Sequence, residues 1–314
     1  MSGELDVVTV GETMALLSAL DESVGSGASY SLSFGGAESN VAIGLTRLGH
    51  SVAWVSALGN DQFGDMIERE ISSEGVQVVA SRDDQRPTGL MVKTLSPGED
   101  RLVRYYRSDS AASALRFEDV PADLITSAQI VHLTGITPAL STSTREMSLW
   151  AARTAREAGA LVSLDVNYRS ALWSEALASA VLRELVSCCD IVFGSPNELG
   201  LLFDHNGTHE QLARRVSEFG PSCIVVKDGE RGASMLIDGE WIHEPAFPVD
   251  VVDTVGAGDG FVAGFLSEVL NGSSAEAQLK TAVITGAVCC THPGDWQGFP
   301  SREQLKQFRE AAAT

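Results

Sequence analysis

The chain has 314 residues, of which 44% are hydrophobic and 20% are charged, enough to bury the core of one large domain or two ordinary ones. Its 42 acidic and 22 basic side chains give a formal charge of −20, which repels nucleic acid and anionic lipid and so excludes a general polyanion binder. No apolar run approaches the ~18 residues of a membrane span. The acidic N-terminus also lacks the basic and apolar regions of a signal peptide.

The cysteines are Cys188, Cys189, Cys223, Cys289 and Cys290. Two adjacent pairs and a single residue, without C-x-x-C spacing, match neither a disulfide framework nor a zinc site. All lie in or beside apolar stretches, so we expect buried, reduced thiols. Reduced thiols are typical of the cytosol, and we expect a cytoplasmic location.

Short apolar runs alternate with amphipathic segments along the chain. Runs rich in Val, Ile and Leu predict strands at 7–10, 52–57, 130–133, 161–165, 191–193 and 224–227. Helical patterns occupy 143–158, 174–187 and 208–219. Strands this uniformly apolar are covered on both faces, and repeated β-α units indicate a parallel sheet. We predict an α/β fold with a doubly wound, mainly parallel sheet flanked by helices, in a single domain over residues 1–314.

Two stretches, 14–34 and 87–107, break this alternation, because they carry short β-like runs without crossover helices. In the second stretch a period of two puts Val103, Tyr105 and Arg107 on one face of a strand. Either the two stretches form a small sheet that projects from the main domain, or they are solvated hairpins without functional consequence. The pattern alone favours neither.

The most informative segment begins at Asp253 and reads DTVGAGDGFVAG. Gly256 and Gly258 precede a helical pattern, and glycines at a helix start let several backbone N–H groups point at one spot, where the helix dipole favours negative charge. This arrangement suits a phosphate. Asp259 lies in the first turn, where we expect the dipole to keep it ionised and able to accept a proton from a substrate hydroxyl. A glycine-rich turn with Asp259 as a helix cap is the structural alternative.

A second glycine segment reads FGGAESN from Phe34 to Asn40 and also precedes a helix. The helix carries small residues, Ala42 and Gly44, which allow close packing. Asn40 offers both a donor and an acceptor to a polyol. Taken alone, this pattern is also that of an ordinary loop-to-helix entry.

Several catalytic signatures are absent from the sequence. There is no G-x-x-x-x-G-K-[ST], which excludes a P-loop NTPase. The first strand leads into Gly11-Glu-Thr-Met rather than G-x-G-x-x-G, so an NAD-dependent dehydrogenase is poorly supported. Neither a G-x-S-x-G elbow nor H-E-x-x-H occurs.

Together, the two glycine segments resemble the paired signatures of the ribokinase/PfkB-type sugar kinases, one near each end of the chain. The resemblance runs from Val7 to the last helix and implies a ribokinase-like fold, in which 14–34 and 87–107 form a small β-sheet lid. It also implies ATP-dependent phosphorylation of a sugar hydroxyl. Asp259 would be the general base, and the backbone of Gly256, Ala257 and Gly258 would be the anion hole.

Within this family the chain is most similar to 2-keto-3-deoxygluconate kinases. The similarity is carried by GGAESN (35–40), RYYR (104–107), HLTGITP (132–138), LDVNYR (164–169) with LW (172–173), and GDWQGFP (294–300). By resemblance, the residues that line the sugar-acid pocket are Gly36, Tyr105, Arg107, Ile136, Arg169, Asp259 and Asp295. The substrate carboxylate would pair with Arg107 and Arg169, because a guanidinium binds a carboxylate through two hydrogen bonds. The alternatives are a structural ion pair for Arg169 and a solvated position for Arg107, and we expect His132 in the core.

The nucleotide contacts follow from two further segments. KDGERGA at 227–233 resembles the family's strand-turn segment over the nucleotide, and the family's N-x-x-E motif falls on SPNE at 195–198, where Ser195 replaces the usual Asn. The implied ATP contacts are Asn167, Ser195, Lys227, Gly229, Gly232, Gly256 and Gly258. We expect Mg²⁺ to be bound mainly by ATP phosphates and water, and Glu198 to contact a water ligand of the ion rather than the ion itself. We expect no contact at Val283, where related kinases often have Asn.

The predicted reaction is phosphorylation of the terminal hydroxyl of 2-dehydro-3-deoxygluconate by MgATP, giving the 6-phosphate. The expected partners are the sugar acid, ATP and a second copy of the chain, which we expect to pair through the lids because exposed sheet edges need covering. One alternative is a kinase of a neutral sugar such as fructose or ribose. The other, from a different class, is a non-catalytic sugar-binding protein on the same fold.

Overall fold

A computed structural model of the chain describes residues 5–20, 27–94, 102–203 and 207–311. Parts of the two predicted lid stretches, 21–26 and 95–101, lie outside the described residues. The strands are β1 (Val7–Val10), β2 (Met14–Ala19), β3 (Tyr30–Gly35), β4 (Val52–Gly59), β5 (Gln77–Asp83), β6 (Leu90–Thr94), β7 (Leu102–Tyr106), β8 (Ile130–Thr134), β9 (Leu161–Asp165), β10 (Ile191–Gly194), β11 (Cys223–Lys227), β12 (Ala233–Ile237) and β13 (Glu240–Glu244).

The α-helices cover both faces of a large sheet. They are α1 (Ala37–Arg47), α2 (Gln62–Ser73), α3 (Ala122–Ser127), α4 (Thr137–Leu140), α5 (Thr142–Ala158), α6 (Glu175–Val186), α7 (Pro196–Leu201), α8 (His209–Ser217), α9 (Ala257–Leu270), α10 (Ala275–Cys289) and α11 (Arg302–Ala311). Over the described part of the chain, no helix has both the length and the apolar content that a bilayer crossing needs.

The large sheet has the strand order β13-β12-β11-β10-β9-β8-β1-β4-β5, and its pairs are parallel except at β11–β12 and β12–β13. The predicted mainly parallel, doubly wound sheet is therefore confirmed. Alternate residues of a strand serve opposite faces: Val131 and Leu133 pack in the core under α5, whereas Ile130 packs in the core under α1 and α9. Burial of both faces explains the continuous apolar runs.

Three strands of the large sheet were missed by the sequence analysis. β5 is a half-exposed edge strand, and its QVVASRD pattern lacks a continuous apolar run. β12 and β13 form a hairpin through Asp238 and Gly239, whose φ values of 50° and 82° are left-handed. An Asp-Gly turn between alternating residues is a recognisable hairpin signal, so this pair was within reach of the sequence.

The predicted small sheet is also confirmed, with the order β3-β2-β6-β7. Met14, Leu16 and Met91 are buried on one of its faces with Val103 packed against them, so the alternative of solvated hairpins is wrong. The opposite face leaves Leu32, Leu102 and Tyr106 exposed. Whether this sheet acts as a lid, within a single domain, remains a prediction.

The cysteines are free thiols without disulfide bonds. Cys189, Cys223 and Cys289 are buried, as expected, whereas Cys188 and Cys290 are half-buried.

Candidate active site

Two helices with small residues at their crossing point bring the two glycine motifs together. A Cβ atom placed on Gly44 of α1 would lie 2.7 Å from the Cβ of Ala263 in α9, so the helices touch almost backbone to backbone. One turn earlier on each helix, Asn40 Nδ2 donates a 2.8 Å hydrogen bond to Asp259 Oδ2. The predicted close-packing face of α1 thus positions Asn40 against the predicted base.

The carboxyl group of Asp259 has a pKa raised to about 7. Burial is the main cause, and the negative charge of Asp165 raises the pKa further. The hydrogen bond from Asn40 and the positive charges of Lys227 and Arg169 act in the opposite direction. The structure corrects the expectation that the helix dipole keeps this group fully ionised, because burial outweighs it. A carboxyl group with this pKa exchanges protons near neutral pH.

The start of α9 presents backbone donors that lack acceptors. Gly256 adopts a left-handed φ of 76° directly before the helix. Among the described residues, the N–H groups of Gly258 and Asp259 meet no acceptor, and the N–H of Ala257 makes only a 3.3 Å bond to Thr254 O. These first-turn groups have no intrahelical partner. Of the predicted anion-hole residues, Gly258 therefore has a donor without an acceptor in the described chain and Ala257 a weakly bonded one, and Asp259 adds a donor that was not predicted.

Lys227 adds a positive charge beside these donors. It ends β11, and its Nζ lies 2.8 and 2.6 Å from the two carboxylate oxygens of Asp165, which ends β9. Burial alone would lower the pKa of Lys227, but the charges of Asp165 and Glu198 raise it above its ordinary value. A Cβ atom on Gly258 would lie 3.7 Å from the Lys227 ammonium. The charged lysine therefore faces the start of α9.

A cavity of about 670 Å³ opens from this point. Five of its lining residues were predicted to bind ATP or to form the anion hole: Lys227, Gly229, Gly232, Ala257 and Gly258. Its apolar walls were missed by the sequence analysis and include Phe247, Pro248 and Val249 from the segment before α9. Val283 of α10 also lines the cavity, although no contact was predicted there.

Asn167 and Ser195 do not line this cavity, and Glu198 holds them near each other. The Glu198 carboxylate accepts the Ser195 N–H at 2.7 Å and the Tyr168 N–H at 3.0 Å, and Ser195 Oγ accepts the Glu198 N–H at 3.3 Å. Asn167 is buried with a left-handed φ of 38°. Glu198 therefore fixes the backbone after β9. Within the described ranges, no group of three or more His, Cys, Asp or Glu side chains is arranged to hold a metal ion.

In the predicted sugar-acid pocket, Arg107 is buried and already paired. Its Nε donates to Glu12 Oε2 at 2.7 Å, and its Nη2 lies 2.5 Å from the same oxygen. A solvated position for Arg107 is therefore excluded. Gly36 is required by the fold, because a Cβ atom there would lie 2.3 Å from the Glu12 carbonyl oxygen. Glu12 was not predicted, although a polar residue two positions after β1 lies near the strand ends where such sheets bind ligands.

Arg169 is exposed and forms no ion pair with a described residue; it donates only a 3.2 Å bond to the Tyr168 carbonyl. The alternative of a structural ion pair therefore finds no partner in the described chain. His132 is fully buried as expected, and burial lowers its pKa to about 3.

Tyr105 and Asp295, two further predicted sugar contacts, lie in or beside the small sheet. Tyr105 is half exposed and pairs across the strands with Met91. Burial raises the pKa of Asp295 to about 6, and its carboxyl carbon would lie 2.8 Å from a Cβ on Gly35. Ile136 is half-buried directly before α4.

Another buried carboxyl was missed by sequence analysis. Glu38 of α1 is fully buried, and burial raises its pKa. Thr134 Oγ1 and Thr137 Oγ1 donate to Glu38 Oε1 at 2.6 and 2.7 Å, and the charge of Arg107 acts on the same group. This network ties α1 to the loop after β8, which carries Ile136.

Comparison with known proteins identifies the family of the chain. Residues 4–302 match the family described as pfkB family carbohydrate kinase. The chain is 38% identical to a 2-dehydro-3-deoxygluconokinase of Bacillus subtilis (strain 168), over 99% of this chain and 97% of the relative. It is 33% identical to a 2-dehydro-3-deoxygalactonokinase of Haloferax volcanii, over 92% of each protein. A crystal structure from E. coli, described as a ribokinase II in complex with ATP and Mg²⁺, has a TM-score of 0.89 and 25% identity over 98% of this chain and 99% of that one. The chain therefore belongs to the pfkB family of carbohydrate kinases, as the two glycine motifs predicted.

Proposed function

We propose that this chain transfers the γ-phosphoryl group of ATP to the terminal hydroxyl of a 2-keto-3-deoxy sugar acid, converting 2-dehydro-3-deoxygluconate to its 6-phosphate. One observation carries the proposal: at the start of α9 a carboxyl group with a pKa of about 7 lies beside N–H groups that have no acceptor in the described chain. A base and an anion hole at one point are what phosphoryl transfer to a hydroxyl requires.

In the proposed reaction, Asp259 accepts the proton of the terminal hydroxyl as its oxygen bonds to the γ-phosphorus. The bond from that phosphorus to the β-phosphate oxygen breaks, and ADP leaves with the electron pair. The N–H groups of Gly256, Ala257 and Gly258, with the ammonium of Lys227, stabilise the negative charge on the phosphoryl oxygens. Asn40 holds the Asp259 carboxyl in orientation through their 2.8 Å hydrogen bond.

The cavity next to α9 is suited to ATP. Its walls at Phe247, Val283 and Pro248 are apolar, as an adenine ring requires, and its end at Lys227 is positive. When bound with ATP, Mg²⁺ supplies charge neutralisation on the phosphates. Because the described residues offer no metal cluster of their own, the ion would arrive on the phosphates, with Glu198 acting through water. Asn167 and Ser195, which do not line the cavity, would contact phosphate oxygens that extend beyond it.

The acidic substrate is supported by Arg169, which has no ion pair with a described residue. It is also supported by the two relatives, which are named for kinases of 2-dehydro-3-deoxy sugar acids. We further propose that the small sheet closes over this substrate as a lid formed by 14–34 and 87–107. Its exposed outer face, with Leu32 and Tyr106, is consistent with the expected pairing of lids between two copies.

One observation favours a neutral sugar as the second candidate. The charge of Arg107 is already neutralised by Glu12, so of the two arginines predicted to bind the substrate carboxylate only Arg169 has no ion pair with a described residue. A kinase of fructose or ribose would need neither arginine, because its substrate carries no carboxylate.

A coupled ADP-release assay tests the proposal with 2-dehydro-3-deoxygluconate, its galactonate-derived epimer, fructose and ribose, each with MgATP. We expect ADP release with the sugar acids and little with the neutral sugars. Faster turnover of fructose or ribose would contradict the acid assignment. Absence of ADP release with every sugar would identify a non-catalytic binding protein.

Replacing Arg169 with methionine tests the carboxylate contact. Losing a charge-assisted hydrogen bond costs about 1.5–3 kcal/mol, so KM for the sugar acid should rise about 10- to 100-fold. The KM for ATP should change little. The control is Arg183→Met on the exposed face of α6. An unchanged KM for the acid would remove Arg169 from the pocket. Arg107 is less suitable, because its removal leaves Glu12 buried without a counter-ion.

A further inference from the structure

A lysine of the small sheet reaches the loop that starts the anion hole. Lys93 lies on β6, and its Nζ is 3.1 Å from Asp253 Oδ2. The Lys93 side chain is only 12% exposed and that of Asp253 only 9%. Lysine side chains are rarely buried and lose up to about 2 kcal/mol of rotamer freedom when ordered. A nearly buried Lys93 therefore indicates a specific ion pair between the small sheet and the loop before α9.

Lys93 also lies on the face of the small sheet that is buried at Met91. Its strand neighbour is Ser18 on β2, and the residue two positions before it, Met91, belongs to the buried face. Since alternate residues of a strand share a face, Lys93 and Met91 point the same way. Arg104 on β7 pairs with Val92, lies on the opposite face of the small sheet and is exposed.

Asp253 transmits this contact to the anion hole. Its Oδ1 accepts the N–H of Val255 at 3.3 Å, in the residue directly before Gly256. The N–H groups of Val252 and Asp253 are anchored on the Cys290 carbonyl at 2.8 and 3.2 Å. The Asp253 carboxylate therefore joins the lysine on one side to the turn that aims the α9 donors on the other.

The opposite side of the same turn is held by Asp295. Its carbonyl oxygen lies 1.7 Å from where a Cβ of Gly256 would stand, so the two backbones are in contact. The charges of Lys93 and Asp253 both act on the Asp295 carboxyl. The small sheet, the turn and a predicted sugar contact thus meet at a charged cluster whose described members include Lys93, Asp253 and Asp295.

We propose that Lys93 is a positioning residue for phosphoryl transfer: its ammonium holds Asp253, and through it the turn from Val255 to Gly258, in the shape of a complete anion hole while the small sheet is docked. The inference rests on the proposed function, in which this turn binds phosphoryl oxygens. Lys93 itself touches no reacting atom. If Lys93 acts in this way, docking of the small sheet also completes the anion hole.

The kinetic test compares Lys93→Met with Lys280→Met, the same change on an exposed position of α10. Displacing catalytic groups by about 1 Å can cost about 100-fold, so kcat for Lys93→Met should fall about 10- to 100-fold while KM for ATP changes less than about threefold. Lys93→Arg, which keeps the charge, should recover most of the loss. An unchanged kcat, or equal losses in Lys280→Met, would overturn the proposal.

A double-mutant cycle separates positioning from direct contact. If Lys93 acts through Asp253, adding Lys93→Met to Asp253→Asn should cause no further loss of kcat, because the two changes break one pathway. Independent, multiplying losses would mean that the lysine acts on the phosphoryl group directly, and would refute the proposal.

Hydrogen exchange gives a readout that does not depend on activity. In the full-length protein without ligands, Lys93→Met should speed amide exchange in peptides that span 252–260, and Lys280→Met should not. Should Lys93→Met fold poorly, Lys93→Gln serves for the same measurement. Unchanged exchange contradicts the inference even if no sugar is phosphorylated, whereas faster exchange without any kinase activity would overturn the proposed function alone.

Discussion

Asp259→Asn is expected to lower kcat by about 10²–10⁴-fold, the usual contribution of a positioned general base. Asparagine keeps the size of the side chain and can still accept the hydrogen bond from Asn40, so binding of ATP and sugar should survive. Isothermal titration with both ligands, beside the ADP-release assay, checks this separation of binding from turnover. Turnover near the wild-type value would remove Asp259 from the mechanism.

The pH profile of the unmodified enzyme tests the same residue. With a pKa of about 7 in the free protein, Asp259 loses its base form as the pH falls, so log kcat/KM should decline below about pH 7. Asp295, with a pKa of about 6, titrates nearby. Asp295→Asn serves as the control, in which the limb near pH 7 should persist. A wild-type profile in which kcat/KM declines only at pH 6 or below would contradict the assignment to Asp259.

Stability should respond in the opposite sense. The folded-state pKa of Asp259 is raised above the unfolded value, so between about pH 4 and 7 the folded protein holds a proton that the unfolded chain has released. Folding is therefore favoured as the pH falls through this range, and above pH 7 the buried charge destabilises the protein. Asp259→Asn should raise Tm by several degrees at pH 8 and by less at pH 5.

Gly256→Ala is expected to reduce both activity and stability, because two independent constraints require glycine there. The φ of 76° costs a residue with a Cβ about 1–2 kcal/mol. The new Cβ would also lie 1.7 Å from the Asp295 carbonyl oxygen, a backbone atom that cannot swing aside. The turn or the Asp295 loop must shift, and kcat/KM should fall about 100-fold, with a lower Tm.

Gly272→Ala is the matched control for this prediction. Gly272 has a similar φ of 67°, but no atom lies within 4 Å of the added Cβ. It therefore shares the backbone strain and lacks the collision, so it should lower Tm modestly and leave kcat/KM unchanged. Equal effects of the two substitutions on kcat/KM would show that the contact with Asp295 does not shape the anion hole.

Local patterns in the sequence were sufficient for the main sheet and for both glycine motifs. The six predicted strands correspond to β1, β4, β8, β9, β10 and β11, because strands buried on both faces leave a continuous apolar signature. β5 escaped prediction because an edge strand is half exposed and lacks that signature. The glycine before α9 was also identifiable, since a left-handed turn at a helix start is encoded in the residue itself.

The chemistry of the site depends instead on contacts between residues far apart in the chain. Asn40 and Asp259 are separated by 219 positions, Glu12 and Arg107 by 95, and Lys93 and Asp253 by 160. Sequence alone identified Asp259 and Arg107 as candidates through their motifs. Only the tertiary structure decided that burial raises the pKa of the first to about 7 and that a buried carboxylate already neutralises the second. Burial and charge pairing arise when distant segments meet, and no local pattern records them.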